Sequence, residues 1–259
     1  MISILEKIIS AKRQEIACHK ELTSLESLKK MSKKKTEIRS FRQSLLDSPT
    51  GIISEFKRKS PSKGWIFQEA RIEKIVPDYV AFGATALSVL TDEPFFGGSL
   101  NDLETARGLV NIPVLRKDFI VDAYQIYQAH LFGADVILLI ASALTVKETA
   151  LLASTAKELE LEVLLEIHTE DELNHINEYV DVVGINNRNL SSFETNIQTS
   201  FDLGEKIPDT FVKISESGIS DPLTVRELRS AGFRGFLMGE NFMKTDNPGE
   251  ALKNFISQI

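Results

Sequence analysis

Gly51-Ile-Ile-Ser-Glu-Phe-Lys-Arg-Lys-Ser-Pro-Ser-Lys-Gly64 is the stretch from which the fold can be worked out. It opens with a β-branched run and closes in a Ser/Pro/Gly cluster, which predicts a buried strand and the loop that follows it. Because side chains alternate along a strand, Ile53, Glu55 and Lys57 share one face and Phe56 lies on the other. If Phe56 faces a layer of helices, a carboxylate and an ammonium point into the centre of the sheet. Burying charge is costly unless it is paired or used for chemistry, so this is either a structural ion pair or part of an active site.

The pattern of strand, loop and helix repeats along the chain after Gly51. The predicted strands are Ile52–Lys57, Ala86–Leu90, Val114–Lys117, Val136–Ile140, Glu162–Ile167, Val182–Asn186, Phe211–Ser215 and Phe236–Met238. The predicted helices lie near residues 69–82, 100–109, 122–132, 145–159, 169–178, 197–206, 221–231 and 248–257. Apolar strands that alternate with helices favour an α/β fold with a parallel sheet covered by helices. Eight such units predict a single (β/α)8 TIM barrel. A doubly wound open sheet is the alternative, but no G-x-G-x-x-G turn follows the first strand.

The first fifty residues lie outside this repeat. Residues 3–20 predict a helix, with Ser3 as its N-cap and Glu6 at the capping-box spacing. Residues 29–36 predict a solvated basic linker, with a site for an anionic ligand as the alternative. Residues 40–46 predict one more short helix before the first strand.

Composition limits the class of protein. The chain has 259 residues, of which 42% are hydrophobic and 26% charged, enough for a substantial core. Since an α/β barrel uses about 250 residues, we expect one domain over residues 1–259, with residues 1–50 as a helical extension or lid and residues 51–259 as the barrel. The net charge of -7 argues against a nucleic-acid partner, and the single cysteine, Cys18, fits a reducing compartment. The longest apolar runs have strand length, and Ile2–Ile9 is too short and charged for a secretory signal. We therefore expect a cytoplasmic protein that binds no membrane. We also expect a monomer, although composition does not determine the oligomeric state.

Functional side chains of such a barrel lie at the carboxyl ends of its strands. Here those ends supply two lysines, two carboxylates, an amide and a guanidinium: Lys57, Lys117, Glu55, Glu166, Asn186 and Arg188. The seventh and eighth ends add Glu216-Ser217-Gly218-Ile219 and Met238-Gly239-Glu240. Any one of these residues could be structural, but together they predict a polar active site.

The glycine turns after the last two strands predict a phosphate site. Barrels of this class commonly hold phosphate there with backbone N–H groups, and Gly218 and Gly239 permit the close approach that this needs. Ser60, just past the first strand, adds a hydroxyl donor. Ordinary turn glycines are the alternative interpretation.

Metal and thiol chemistry receive little support from the sequence. His19, His130, His168 and His175 have no ligand spacing, so we predict no metal site and expect them on the surface or on helix faces. Cys18 lies in the predicted N-terminal helix, away from every strand end, and is not expected to be a nucleophile.

Six motifs in this order resemble the indole-3-glycerol-phosphate synthase family of tryptophan biosynthesis. They are Glu55-Phe-Lys-Arg-Lys-Ser-Pro-Ser-Lys-Gly64, Leu115-Arg-Lys-Asp-Phe-Ile120, Leu165-Glu-Ile167, Gly184-Ile-Asn-Asn-Arg-Asn-Leu190, Glu216-Ser-Gly-Ile-Ser220 and Met238-Gly-Glu240. Ile4-Leu-Glu-Lys-Ile8 and Lys12-Arg-Gln-Glu15 are similar to that family's extra helix, which closes over the barrel mouth. The resemblance covers essentially the whole chain. Glu240 stands where some members carry a small hydroxyl residue, so a phosphate contact there is expected through the backbone N–H.

The resemblance implies a carbon–carbon lyase that needs no cofactor. Its reaction closes an indole ring on 1-(2-carboxyphenylamino)-1-deoxyribulose 5-phosphate, with loss of CO2 and water. Lys117 and Lys57 are then the candidate acids, and Glu55 and Glu166 the candidate bases and modulators of lysine acidity. The resemblance further implies substrate contacts by Asn186, Arg188, Glu216, Ser217, Ser60, Pro61, Phe96, Phe119 and Leu138, with the four apolar residues around the anthranilate ring. Phosphate contacts are implied for Ser60, Gly218, Gly239 and Glu240. Which lysine serves which step stays open.

Two other functions remain open. A phosphosugar isomerase such as phosphoribosylanthranilate isomerase would share the barrel and the phosphate site. It would pair a Cys or Asp near the first strand with another acid, whereas this chain has Glu55 and Lys57 there. A non-catalytic barrel that binds a phosphometabolite would keep the glycine turns, but it would need neither both lysines nor Glu166.

Overall fold

The computed structural model of the protein describes residues 3–32, 37, 39–189 and 192–259. Within these residues, eight parallel strands close into a barrel in chain order. They are β1 (Ile52–Phe56), β2 (Ala86–Leu90), β3 (Val114–Lys117), β4 (Val136–Ile140), β5 (Glu162–Ile167), β6 (Val182–Asn186), β7 (Val212–Glu216) and β8 (Gly235–Met238). β8 pairs with β1, with Ile52 opposite Phe236, so no open sheet edge remains between these strands. The predicted barrel is confirmed, and each predicted strand agrees with the observed one to within a residue.

The α-helices of the described residues surround the barrel or close its two ends. They are α1 (Ile4–Leu22), α2 (Leu25–Met31), α3 (Phe41–Asp47), α4 (Ile72–Ala81), α5 (Glu93–Phe96), α6 (Leu100–Leu109), α7 (Ala123–Leu131), α8 (Val146–Glu158), α9 (Gln198–Gly204), α10 (Pro222–Ser230), α11 (Glu240–Met243) and α12 (Pro248–Ile256). Two apolar layers result, one between strands and helices and one inside the barrel. In β1, Phe56 belongs to the first layer and Ile53 to the second, as the alternation predicts. Glu55 and Lys57 therefore share the inner side with Ile53.

Two local predictions were wrong. The segment near residues 169–178 is a 3-10 helix, Glu170–His175, rather than an α-helix. The amide side chain of Asn177 donates to the His175 carbonyl and accepts from the Tyr179 N–H, and these backbone contacts end the helix early. The basic segment is also not entirely a linker, because Lys29 to Met31 form the last turn of α2, which Ser24 caps. Residues 33–36 of that segment lie outside the described residues.

The N-terminal segment contacts both ends of the barrel. α1 begins with the predicted capping box, in which the Ser3 N–H donates to Glu6 at 2.7 Å and the Glu6 N–H donates to Ser3 at 3.1 Å. Ile8 of α1 packs with the apolar residues of the barrel mouth. Phe41 and Leu45 of α3 are fully buried, and Leu45 lies against Gly235 at the start of β8. α1 therefore covers the carboxyl end of the barrel, and α3 closes its amino end.

Among residues 3–32, 37, 39–189 and 192–259, no helix combines the length and the apolar character that crossing a membrane requires.

Candidate active site

A cavity opens at the carboxyl ends of the strands, beneath α1. It contains about 1140 Å³ of empty space, part of which is open to solvent. Every side chain or glycine predicted for the site lines it except Glu216, which contacts Lys117. The residues that the sequence distributes over all eight strands and the loops after them are thus brought around one cavity.

The charges of β1 form a close ion pair on the cavity wall. Lys57 Nζ donates to Glu55 Oε1 at 2.6 Å, and both side chains are largely buried. Burial by itself would raise the pKa of Glu55, but the ammonium groups of Lys57 and Lys117 lower it below its usual value. Glu55 is therefore held as a carboxylate between two cations.

Lys117, at the end of β3, lies among three carboxylates. Its Nζ is 2.8 Å from Glu216, 3.7 Å from Glu166 and 3.8 Å from Glu55, and only 13% of the side chain is exposed. Burial by itself would lower the pKa of Lys117, but the charges of Glu216, Glu166 and Glu55 raise it above its ordinary value. The group is an ammonium that can donate a proton to an oxygen on which negative charge develops.

Glu216, at the end of β7, is the acid that Lys117 contacts most closely. Burial raises the pKa of Glu216 to about 7, with Lys117 acting against the shift and Glu166 adding to it. This carboxyl group can therefore carry a proton near neutral pH. Its Oε1 has no hydrogen-bond partner among the described residues, and it lies 2.4 Å from where a Cβ on Gly184 would stand. Glycine at position 184 provides the space that the Glu216 carboxyl group occupies.

Asn186 and Arg188 extend the site along β6 and the loop after it. Asn186 Oδ1 accepts a hydrogen bond from the Arg188 N–H at 3.0 Å, which fixes the turn between them. The Arg188 guanidinium donates to Glu240 at 3.3 Å and lies 3.5 Å from the Ser62 hydroxyl. The Glu240 carboxylate is thus held by an arginine of the same cavity. Leu190 of this motif lies outside the described residues.

The predicted phosphate positions face the same side of the cavity. Ser217 and Gly218 follow β7 with left-handed backbone angles, φ 66° and 77°, which form a sharp turn. Gly239 precedes α11, and Ser60 is buried beside the cavity with 2% exposure. Turns of this kind present backbone N–H groups that can bind an anion.

An apolar wall lies beside Lys117. The rings of Phe96 and Phe119 have centroids 6.0 Å apart, and Pro61 and Leu138 line the same cavity. A flat aromatic ring can pack against such a wall while its polar substituents reach the charged strand ends.

Sequence reasoning missed one buried cation over the mouth. Lys12 of α1 is 1% exposed, and its Nζ lies 3.0 Å from Asp92 and 3.1 Å from Asp118. The helical periodicity indicated that Lys12 is buried. Ile8, Lys12 and Ile16 lie four residues apart, on one face of the helix, and all three are buried. A lysine on the apolar stripe of a helix indicates a buried acid opposite to it.

The expectation that all four histidines lie on the surface or on helix faces was wrong for His168. This residue directly follows β5, and its side chain is only 10% exposed. It lies two residues after Glu166 on an extended segment, so both side chains project to the same side. The imidazole Nε2 is 3.4 Å from Glu166 Oε1.

Comparison with known proteins agrees with this geometry. A sequence model of the family described as indole-3-glycerol phosphate synthase matches residues 5–255. The chain belongs to the indole-3-glycerol phosphate synthase family. Proteins of that name include one from Bacteroides thetaiotaomicron that is 56% identical over 259 residues, covering 100% of both chains. A second, from Burkholderia ambifaria, is 44% identical over 257 residues, covering 97% of this chain and 98% of the other.

Solved structures of distant proteins share the barrel of this indole-3-glycerol phosphate synthase family member. Thiamine phosphate pyrophosphorylase from Pyrococcus furiosus has a TM-score of 0.61 at 13% identity, covering 85% of this chain and 97% of the other. KGPDC from Streptococcus mutans has a TM-score of 0.59 at 14% identity, covering 80% and 95%. At such low identity the likeness concerns the fold alone.

Proposed function

We propose that this chain converts 1-(2-carboxyphenylamino)-1-deoxyribulose 5-phosphate into indole-3-glycerol phosphate, CO2 and water, without a cofactor. Its membership of the indole-3-glycerol phosphate synthase family supports this assignment. The observation that carries the mechanism is the Lys117 ammonium, surrounded by Glu55, Glu166 and Glu216 at the apolar end of the cavity.

Ring closure requires an acid at the ribulosyl carbonyl. The aromatic carbon that bears the carboxylate attacks the carbonyl carbon, a carbon–carbon bond forms, and the carbonyl oxygen takes a proton. Lys117 donates that proton, because its ammonium lies beside Phe119 on the wall proposed to hold the ring. Loss of CO2 then restores the aromatic ring. Glu216, with its pKa near 7 and its 2.8 Å contact, can return a proton to Lys117.

Dehydration requires an acid and a base on neighbouring atoms. The hydroxyl formed in the first step leaves as water after taking a proton, and the adjacent methylene carbon loses a hydrogen. Lys57 is the proposed acid for the hydroxyl. Glu166 is the proposed base, because Glu55 is already engaged by Lys57 at 2.6 Å.

The anionic groups of the substrate need hydrogen-bond donors on the side of the cavity that faces away from the apolar wall. We assign the phosphate to Ser60 and to the backbone N–H groups at Gly218 and Gly239. Arg188 and Asn186 contact the sugar hydroxyls and the carboxylate, since a guanidinium suits bidentate anion contacts. Ser217 belongs to the same turn as Gly218. The Glu240 carboxylate orients Arg188, and its backbone N–H is left for the phosphate.

One chain supplies all the side chains that the proposed mechanism uses. Every side chain named in the mechanism comes from the same barrel, so we propose a monomer with no nucleic-acid or membrane partner. An exposed thiol at Cys18 suits a cytoplasmic location. Residues 1–50 and 51–259 form one domain in this proposal, with α1 as the lid over the mouth.

The test is direct. Full-length protein incubated with the carboxyphenylamino substrate is expected to produce indole fluorescence together with one CO2 per product, and Lys117→Met is the negative control. Absence of the product would overturn the proposal. Conversion of phosphoribosylanthranilate into the carboxyphenylamino compound would instead favour the isomerase. Binding of the substrate without turnover would favour the non-catalytic barrel.

A further inference from the structure

His168 links the cavity to a carboxylate outside it. Its Nε2 lies 3.4 Å from Glu166 Oε1, and its Nδ1 lies 3.6 Å from Glu172 Oε2. The His168 backbone N–H also donates to Glu172 Oε2 at 2.6 Å. Neither ring nitrogen makes a hydrogen bond among the described residues, so the imidazole lies between the two carboxylates at ion-pair distances, and only 10% of its side chain is exposed.

The two oxygens of Glu166 have different neighbours. Oε1 faces the imidazole of His168, whereas Oε2 lies 3.7 Å from the Lys117 ammonium. A carboxyl group that contacts only one cation can rotate about its last torsion, which is broad and shallow for Glu. Contacts at both oxygens define its plane.

We propose that His168 is a positioning residue for Glu166, whose imidazole holds Oε1 so that Oε2 faces Lys117 and the cavity. The inference rests on the role of Glu166 as base in the proposed function. It adds a residue that does not line the cavity and that acts through the base.

The charges around the ring favour its protonated form. Burial by itself would lower the pKa of His168, but the close contact with Glu172 and the charges of Glu166, Glu172 and Glu216 raise it above its usual value. The groups that face the ring are thus Glu166 on its own strand, Glu172 on the 3-10 helix and Glu216 on β7, with the Lys117 ammonium beyond Glu166. An imidazolium there offsets part of the negative charge of Glu166, Glu172 and Glu216.

Two substitutions separate the orientation of Glu166 from its charge. His168→Leu removes both the N–H group that lies 3.4 Å from Glu166 Oε1 and the positive charge, whereas His168→Gln keeps a neutral donor. His175→Gln is the matched control, because His175 is similarly buried on the same segment but bonds Thr149 at 2.8 Å instead of Glu166. Activity, KM, the pH profile of kcat and thermal unfolding are measured for all of them.

We expect His168→Leu to lower kcat by about tenfold, a part of the roughly 10²–10⁴ that a positioned acid–base group supplies, with little change in KM. His168→Gln should recover part of the rate on the plateau. In both variants the limb of the kcat profile that follows loss of the His168 proton should be absent, because neither Leu nor Gln titrates in this range. His175→Gln should keep the wild-type pH profile.

A purely structural role would give another result. If kcat falls by the same factor at every pH, or does not fall, the positioning role is wrong.

An NMR titration of the histidines tests the inference without a measurement of activity. The imidazole of His168 should titrate above its ordinary pKa and should shift downward in Glu172→Gln, and a normal titration would overturn the inference. If the wild type does not turn over the substrate but the pKa of His168 is raised, the result would count against the proposed function and not against this inference.

Discussion

Lys12 on α1 and Asp118 directly after β3 form a salt bridge of 3.1 Å in which neither side chain is more than 1% exposed. Asp118 stands between Lys117 and Phe119 in the chain, and it also accepts from Arg116 at 2.9 Å and from Thr91 at 2.6 Å. The N-terminal helix is therefore attached to the strand end that carries the proposed acid.

Replacement of Lys12 by Met should release α1 from the barrel mouth. Removing one partner of a buried ion pair costs about 3–5 kcal/mol, because the remaining carboxylates lose their counter-charge. Since α1 can detach locally, we expect amide exchange in α1 to accelerate by roughly 10²–10⁴-fold and KM to rise, while the barrel keeps its thermal transition. Lys20→Met is the control. Lys20 lies on α1 like Lys12 and forms an ion pair with Asp122, but its side chain is 39% exposed. Equal effects of the two substitutions would contradict the special role of Lys12.

Deletion of residues 1–39 should leave a folded barrel with weaker substrate binding. The deletion removes α1 and its contribution to the cavity, but it keeps Ser40, which caps α3 by accepting from the Gln43 N–H. Deletion of residues 1–50 should be much more damaging, because Phe41 and Leu45 are fully buried at the amino end of the barrel. Loss of a large core side chain costs about 2–5 kcal/mol. Circular dichroism and calorimetry distinguish the outcomes. Full affinity in the shorter deletion would disprove the lid.

The sequence predicts the barrel well because apolar runs of strand length repeat along the chain, and polar or charged residues follow several of these runs. The run Val163–Leu165 of β5 is apolar on both sides, as buried parallel strands are, and charge follows at Glu166 where the run ends. Because side chains alternate along a strand, assigning Phe56 to the layer of helices places Glu55 on the inner face of the barrel. Periodicity therefore gives the fold, the end of the barrel that carries the site, and most of the residues around the cavity.

Contacts between distant segments could not be obtained in that way. Periodicity says which side of α1 is buried, but not that Lys12 meets Asp118, more than a hundred residues later. His168 was misjudged for a related reason, since it follows a strand rather than belonging to one, and its burial depends on the carboxylates of Glu166 and Glu172 on either side of the ring. The 3-10 helix at Glu170–His175 depends on side-chain contacts with the backbone that override helix propensity.

Gly184→Ala should impair catalysis more than folding. A Cβ at this position would stand 2.4 Å from Glu216 Oε1, so the carboxyl group must move and its contact with Lys117 must change. We expect kcat to fall by roughly tenfold or more with a modest loss of stability, as typical for a single crowded site. Gly108→Ala is a suitable control, since a Cβ added there would meet no atom of the described residues within 4 Å. Wild-type kcat in Gly184→Ala would show that the position of Glu216 does not matter.

A substrate analogue without the phosphate tests the glycine turns. If Ser60 and the backbone at Gly218 and Gly239 hold the phosphate, its removal eliminates several charge-assisted hydrogen bonds. We expect kcat/KM to fall by at least roughly a hundredfold, equivalent to about 2.7 kcal/mol. Ser60→Ala should weaken this discrimination and leave the kcat for the dephosphorylated analogue nearly unchanged. Near-normal turnover of that analogue by the wild type would remove the phosphate site from the mechanism.

The two lysines should fail at different steps when each is replaced by Met. Lys117 lies among Glu55, Glu166 and Glu216, whereas the ion pair that the structure gives Lys57 is with Glu55. Lys117→Met should keep substrate binding within about tenfold and lower kcat by roughly 10²–10⁴ or more, because ring closure loses its acid.

Lys57→Met should instead slow the loss of water, so that the decarboxylated hydroxyl intermediate accumulates. Rapid-quench analysis of a single turnover measures both species, and CO2 release reports ring closure separately from indole fluorescence. With Lys57→Met, CO2 should appear in a burst ahead of fluorescence, because the carboxylate is lost before the hydroxyl leaves. With Lys117→Met, both signals should be slowed together. If the burst appears with Lys117→Met instead, the two lysines exchange their roles, and if both variants remain active, Glu166 becomes the next candidate for the proton donor.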